Sequence, residues 1–302
     1  MTTPDYGTFG STGFTVSLDK SVAVITLKRA KQRNTLTEKQ GYELKALFEH
    51  IDKDDRVRVI ILTAEPNAPA FCSGAELSGS WDSVRDTQAE QQEDPISSFR
   101  DSGGQTGLAI LRCRKITIVA VNGHAAGVGM TMQLSFDFRF VWGGAKLTFP
   151  FILRGICPEA LSSYLLPRLI GYSRANALFL SGDVFYPSSP IISDLFFQIL
   201  ENREDVLPAA LKFAHRLAST TSATSVAITK ALIWHGKDTV EEQHLLESRA
   251  IKYTTGSKDA EEGAVSFLEK RKPDFKATLS SDLPSWVPWW DEIDVGRGKA
   301  KL

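Results

Sequence analysis

Between Phe14 and Leu27 (FTVSLDKSVAVITL) apolar and polar positions alternate, and the pair Asp19-Lys20 breaks the run, predicting two strands joined as a hairpin. Lys28 to Asn34 reads as a basic loop. The spacing Thr37-x-x-Gln40 is a capping-box pattern, and Tyr42, Leu44, Leu47, Phe48 and Ile51 follow at helical intervals. Val57 to Thr63 (VRVIILT) predicts a short buried strand. Small residues then gather at Ala70 to Leu77 (AFCSGAEL), and from Ser78 to Gly104 the chain turns polar. That stretch is too long for a simple connector and predicts a flap with some helix in it. A helix over Gln105 to Arg114 leads to a strand at Ile116 to Val121, closed by the turn pair Asn122-Gly123. Ala125 to Gly129 reads as a tight turn into a helix, whose unpaired N–H groups can face an anion. A further strand, Phe138 to Trp142, precedes a loop ending at Pro158-Glu159, where a buried helix is expected to start. Beyond Tyr164 helices are expected over Arg174 to Ser181, Asp194 to Ile199, Val206 to Ser219, Ala223 to Trp234 and Val240 to Tyr253. A last one runs from Ser257 to Lys270, with Ala260, Ala264, Phe267 and Leu268 on one face. The order of strands and helices predicts an α/β fold with crossover helices.

Composition narrows the partners more than the fold. The chain has 302 residues and a net charge of −1, so neither nucleic acid nor an anionic membrane surface is indicated. No apolar run reaches the roughly 18 residues a membrane span needs. The start, MTTPDYGTFGSTGF, lacks a basic region followed by an apolar one, so no secretory signal is expected. Cys72, Cys113 and Cys157 show no C-x-x-C spacing and read as reduced thiols; no H-x-x-x-H pair suggests a metal. The ending Ala300-Lys301-Leu302 is close to the peroxisomal S-K-L address, which implies a peroxisomal location and an import receptor as partner.

Four stretches, ITLKRAKQRNTLT, AFCSGAEL, IVAVNGHAAGVG and SKDAEEGAVSFLEKRKPDF, resemble the crotonase (enoyl-CoA hydratase/isomerase) superfamily over about Phe14 to Phe275. The resemblance implies a ββα spiral core over residues 1–203, a helical C-terminal oligomerisation region over 204–275, and a tail over 276–302 holding Trp286, Trp289 and Trp290. It also implies acyl-CoA thioester substrates, a homotrimer or hexamer, and no cofactor beyond the coenzyme A of the substrate. By position, the oxyanion-hole N–H groups would belong to Ala75 and Val128. Ser73, Ala75 and Leu77 would lie along the adenosine-pantetheine path, with Gly127, Thr131 and Phe151 near the substrate. An enolate on a thioester oxygen needs two fixed donors, and main-chain amides supply them without charge.

Within the family, hydratases resemble one another in carrying two glutamates. Here those positions hold Thr131 and Phe151. Instead Glu159, in PEALSSYLLPRLIG, matches the single glutamate of Δ3,Δ2-enoyl-CoA isomerases, which implies a 1,3-proton shift with Glu159 as base. Phe149, Phe151 and Leu161 are candidates for an apolar wall that excludes water and raises the carboxylate's proton affinity. Two competing readings stay open: hydration or another crotonase step in fatty-acid or secondary metabolism, and a catalytically silent CoA-binding subunit. Asp137 reads as a structural cap, and Ser162 and Ser163 lack the context of a hydrolase nucleophile.

Overall fold

The hairpin forms from β1 (Phe14–Asp19) and β2 (Val22–Leu27), paired antiparallel with Asp19 opposite Val22. The turn falls on Lys20 and Ser21, one residue past the expected pair, and Lys20 takes the left-handed conformation (φ 56°). The computed structural model describes residues 6, 13–76 and 99–295. The stretch 77–98, most of the expected polar flap, and the terminal Ala300, Lys301 and Leu302 lie outside the described residues.

The capping box at Thr37 is present. Its hydroxyl accepts the Gln40 N–H at 3.3 Å and its own N–H donates to Gln40 Oε1 at 3.0 Å, opening α1 (Glu38–Asp52). Such a cap stabilises a helix by about 1 kcal/mol. α1 lays Leu44, Leu47, Phe48 and Ile51 against the sheet. In that sheet β2 runs parallel to β3 (Val59–Ala64), β3 to β5 (Ile116–Val121), β5 to β7 (Phe138–Trp142) and β7 to β10 (Gln198–Leu200). Both faces of β3 are covered, which is why its sequence is apolar throughout instead of alternating. Ile60 and Leu62 meet α1's side, while Val59 and Ile61 meet Val206, Ala210 and Ala214 of α6 (Val206–Thr220).

A second sheet is made of short strands: β4 (Ala70–Cys72), β6 (His124–Ala126), β8 (Leu147–Thr148) and β9 (Val184–Phe185). β4, β6 and β8 each follow one of the long parallel strands after a short turn, and each is followed by helix, so ββα units recur. Those helices are α2 (Ser102–Arg112), α3 (Val128–Thr131) and α4 (Ser162–Ile170), with α5 (Tyr172–Ser181) continuing from α4. Asn122 ties the ends of two long strands together, donating to the Ala64 carbonyl at 2.8 Å and accepting its N–H. The α/β architecture thus fixes the ends of β3 and β5 side by side, where the two small-residue turns leave them.

Three expectations are corrected. The helix expected from Gln105 begins at Ser102, because Asp101 caps it through the Gly104 N–H, and it ends at Arg112. The segment expected as a helix over 194–199 is a 3-10 turn at Ser193–Leu195 followed by β10, since its apolar residues extend the open edge of the sheet beside β7. Glu159 does not start a helix: α4 begins three residues later, after Ala160 and Leu161 take left-handed φ values of 52° and 63°.

The C-terminal part continues as α7 (Ala223–Trp234), α8 (Val240–Thr255), α9 (Lys258–Leu268) and α10 (Leu279–Asp282). The boundary expected at 203/204 falls just before α6, which packs into the core of the long sheet. On α9, Phe267 and Leu268 are 81% and 78% exposed. The tail folds back on the same chain: Trp289 Nε1 donates to the His235 carbonyl at 2.9 Å, and Trp290 stacks on the His235 ring at 3.7 Å.

Candidate active site

Two glycine turns meet above the ends of β4 and β6. Gly74 has φ +109°, and Gly127 has φ 53° with ψ −126°, a conformation open to glycine but not to L side chains. A Cβ on Gly127 would lie 3.6 Å from the Gly74 Cα, and one on Gly74 would lie 3.3 Å from the Ala126 carbonyl oxygen. The turns are therefore in van der Waals contact. Each is followed by a candidate donor, Ala75 after Gly74 and Val128 after Gly127. Ala75 is held by the flanking bonds of its bridge to Leu36, in which Leu36 N–H donates to Gly74 O and Glu76 N–H donates to Leu36 O, both at 2.9 Å. Val128 opens α3, so its N–H has no carbonyl within the helix. Among the described residues neither amide donates to a protein acceptor.

Both turns line a cavity of about 550 Å³ that also includes Ser73, Gly127, Phe151 and Glu159. Its walls are largely apolar, with Leu36, Phe99, Met132, Leu153 and Ile156 among them. Of the three expected wall residues only Phe151 reaches it. Phe149 is buried against the Phe179 ring instead, and Leu161 lies on the far side of the turn, near Gly107. Leu77 lies outside the described residues. Arg29 of the basic loop pairs with Glu76 at 2.8 Å and caps the Thr35 carbonyl, a structural role.

Glu159 is set by a short, deliberate bend. Ser162 donates its hydroxyl and N–H to the Glu159 carbonyl at 2.6 and 3.1 Å, and two successive left-handed residues turn the chain before α4. Non-glycine residues in that region cost on the order of 1 kcal/mol or more each and persist where the surroundings hold them. The result directs the carboxylate back into the cavity. Its Oε1 accepts the Thr131 hydroxyl at 2.6 Å. Burial pushes its pKa up to about 7, with the nearby Asp101 charge adding to the rise and the Thr131 hydrogen bond opposing it. A carboxyl that titrates there can take and return a proton near neutral pH.

Thr131 was expected beside the substrate, and this is corrected. It is fully buried, does not line the cavity, and stands behind Glu159 as its hydrogen-bond donor. Asp137 accepts from Thr117 and Lys230 at 2.7 Å each and is not part of this cavity's lining, a structural role as expected. Sequence reasoning missed Asp101 and Gly103. Both line the cavity, and the one signal for them was an Asp three residues before a Gly at the start of a helix, an N-cap pattern.

The model of the enoyl-CoA hydratase/isomerase family matches residues 17–278. The chain is 41% identical over 258 residues to enoyl-CoA hydratase AFT3-1 of Alternaria alternata, covering 85% of this chain and 84% of that protein. It is 40% identical over 283 residues to enoyl-CoA hydratase AKT3-2 of the same fungus, covering 93% and 92%. Among solved structures, a probable enoyl-CoA hydratase/isomerase from Mycobacterium abscessus superposes with a TM-score of 0.78 at 33% identity, covering 88% of this chain and 99% of that one. With its ββα core, its paired glycine turns and these matches along most of its length, the chain belongs to the enoyl-CoA hydratase/isomerase family of the crotonase superfamily.

Proposed function

We propose that this enzyme is a Δ3,Δ2-enoyl-CoA isomerase, moving a proton along the acyl chain of an unsaturated acyl-CoA thioester. The observation that carries the reading is Glu159: a carboxylate in an apolar cavity with the Ala75 and Val128 turns; the family resemblance puts Thr131 and Phe151 where hydratases hold their acids. The thioester oxygen sits between the Ala75 and Val128 N–H groups. Glu159 takes a proton from C2 of the 3-enoyl chain, and the electron pair spreads over C2–C4 and the thioester as a dienolate whose negative oxygen the two amides hold. The C3–C4 double bond becomes C2–C3 as Glu159 returns the same proton to C4. One carboxylate serves both steps when C2 and C4 lie on one face of the bound chain. The shift moves no electrons on or off the substrate, so it requires no redox group, and coenzyme A enters only as part of the substrate.

A second reading, water addition to a 2-enoyl-CoA, is favoured by the names of the Alternaria relatives, both called enoyl-CoA hydratase. Offering 3-enoyl-CoA and 2-enoyl-CoA to the full chain separates the two. Conversion of the 3-enoyl thioester, reduced roughly 10²- to 10⁴-fold in Glu159→Ala, is the expected result. Hydration of the 2-enoyl thioester without conversion of the 3-enoyl one supports the second reading instead. Thioester binding without turnover on either, unchanged in Glu159→Ala, points to a silent CoA-binding subunit and overturns both.

A further inference from the structure

Glu159 shares its corner of the cavity with a second acid. Asp101 caps α2: its Oδ1 accepts the Gly104 N–H at 2.5 Å and its carbonyl accepts the Gln105 N–H at 3.1 Å, so the carboxylate is held in place. Gly103 stands between the two acids. A Cβ at Gly103 would lie 1.8 Å from Glu159 Oε2 and 3.2 Å from Asp101 Oδ1, so the two oxygens are no farther apart than those distances together. Oε1 of Glu159 is occupied by the Thr131 hydroxyl, which leaves Oε2, the oxygen turned toward Asp101, as the one to move a proton.

We propose that Asp101 is a positioning residue of the reaction: its fixed negative charge, seen by Glu159 Oε2 across the gap that Gly103 leaves open, strengthens Glu159 as the base that takes and carries the substrate's proton. This rests on the reading of Glu159 given above. The physical case is a balance of two opposed effects. The start of α2 lines the same cavity as Glu159, and a helix N-terminus left uncapped would stabilise a nearby anion and weaken it as a base. Asp101 takes the Gly104 N–H for itself and adds a like charge, which reverses the sign. Two carboxylates this near in an apolar cavity disfavour the doubly charged state, so a proton arriving at Glu159 is held more firmly. The other ionisable groups of this cavity do not supply the effect. Cys72 on β4 is buried with its thiol pushed up to about 12, and so is neutral. On the cavity lining, Glu76 is paired with Arg29, while Glu38 and Arg154 are exposed to solvent and screened.

Asp101→Asn tests this, because asparagine caps a helix as well as aspartate does and removes only the charge. Asp101→Ser, which also caps without charge, must behave alike. The expected result in both is a pH profile that crosses the wild-type one. The acidic limb of kcat/KM moves down by about one pH unit, and the plateau kcat falls several-fold with KM little changed, as for a weaker base. Isotope-edited infrared titration of the Glu159 carboxyl in the unliganded full chain should show the same downward move. Limb and carboxyl titration both unmoved in the two variants, with a wild-type plateau, reduces Asp101 to a helix cap and overturns the proposal. A carboxyl titration that moves while Glu159→Ala keeps full turnover upholds the Asp101–Glu159 coupling and removes the isomerase reading instead.

Discussion

At the scale of single residues the site depends on what surrounds one carboxylate. Thr131 donates to Glu159 at 2.6 Å and favours the charged form, while burial and Asp101 favour the protonated one. A base must be ionised to act, so turnover is expected to rise with pH through about 7. Thr131→Val keeps the shape of this buried residue and deletes the donor. Losing a bond to the charged form raises the proton affinity of Glu159, so the acidic limb of kcat/KM is expected to move to higher pH, opposite to Asp101→Asn. Activity at pH 7 falls several-fold and recovers in alkaline buffer. A limb that stays at the wild-type pH in Thr131→Val contradicts the role given to that hydroxyl. Thr131 was legible in the sequence as a residue near the cavity, but its direction was not. A helical residue at that position can face a ligand or a neighbouring side chain, and only the bend at Ala160-Leu161 brings Glu159 to it.

At the scale of elements, the two donors are placed by the contact between β4 and α3. A Cβ on Gly129 would lie 2.2 Å from the Cys72 carbonyl oxygen and 2.8 Å from the Cys72 Cβ, and a strand backbone in a buried sheet cannot yield. Gly129→Ala is therefore expected to push α3 off β4 and separate the Val128 and Ala75 amides. The expected cost is about 1–3 kcal/mol of stability, seen as a lower thermal midpoint, together with a large loss of kcat. Val128→Ala and Ala75→Ser keep both main-chain donors and should stay within a few-fold of wild-type turnover. Wild-type stability and turnover in Gly129→Ala would show that the turns do not need this close approach. The strand–turn–helix order here was readable from small residues bounded by apolar runs. β10, at the edge of the long sheet, was not, because an apolar stretch of a few residues fits a helix or an edge strand equally well and pairing with β7 decides.

At the scale of the whole molecule, the C-terminal helices leave apolar side chains uncovered. Leu245 and Ile251 on α8 are 70% and 60% exposed, and Phe267 and Leu268 on α9 are more so. We propose that these side chains belong to an assembly face, as the homotrimer or hexamer implied by the family resemblance would need. The double substitution Phe267→Asp with Leu268→Asp is expected to lower the mass measured by light scattering to that of a smaller assembly, with the helical signal retained. A wild-type chain that is monomeric at micromolar concentration refutes the face as an assembly surface. The tail tryptophans belong to a different layer, since Trp289 and Trp290 are engaged with His235 of the same chain.

The sequence by itself determined the elements whose stability is local or whose burial is complete. These are the capped α1, the fully buried β3 and β5, the two small-residue turns, and the family to which the four motifs belong. Spacing along the chain records hydrogen-bonding periods and glycine's freedom, and both are properties of neighbours in sequence. Tertiary structure alone decided which groups face one another across long separations. Thr131 meets Glu159 over 28 residues, Gly103 leaves the opening through which Asp101 and Glu159 see each other, and Phe149 turns away from the cavity that Phe151 lines. The proton affinity of a carboxylate depends on charge, hydrogen bonds and solvent within a few ångströms in space, and no pattern along the chain encodes those distances.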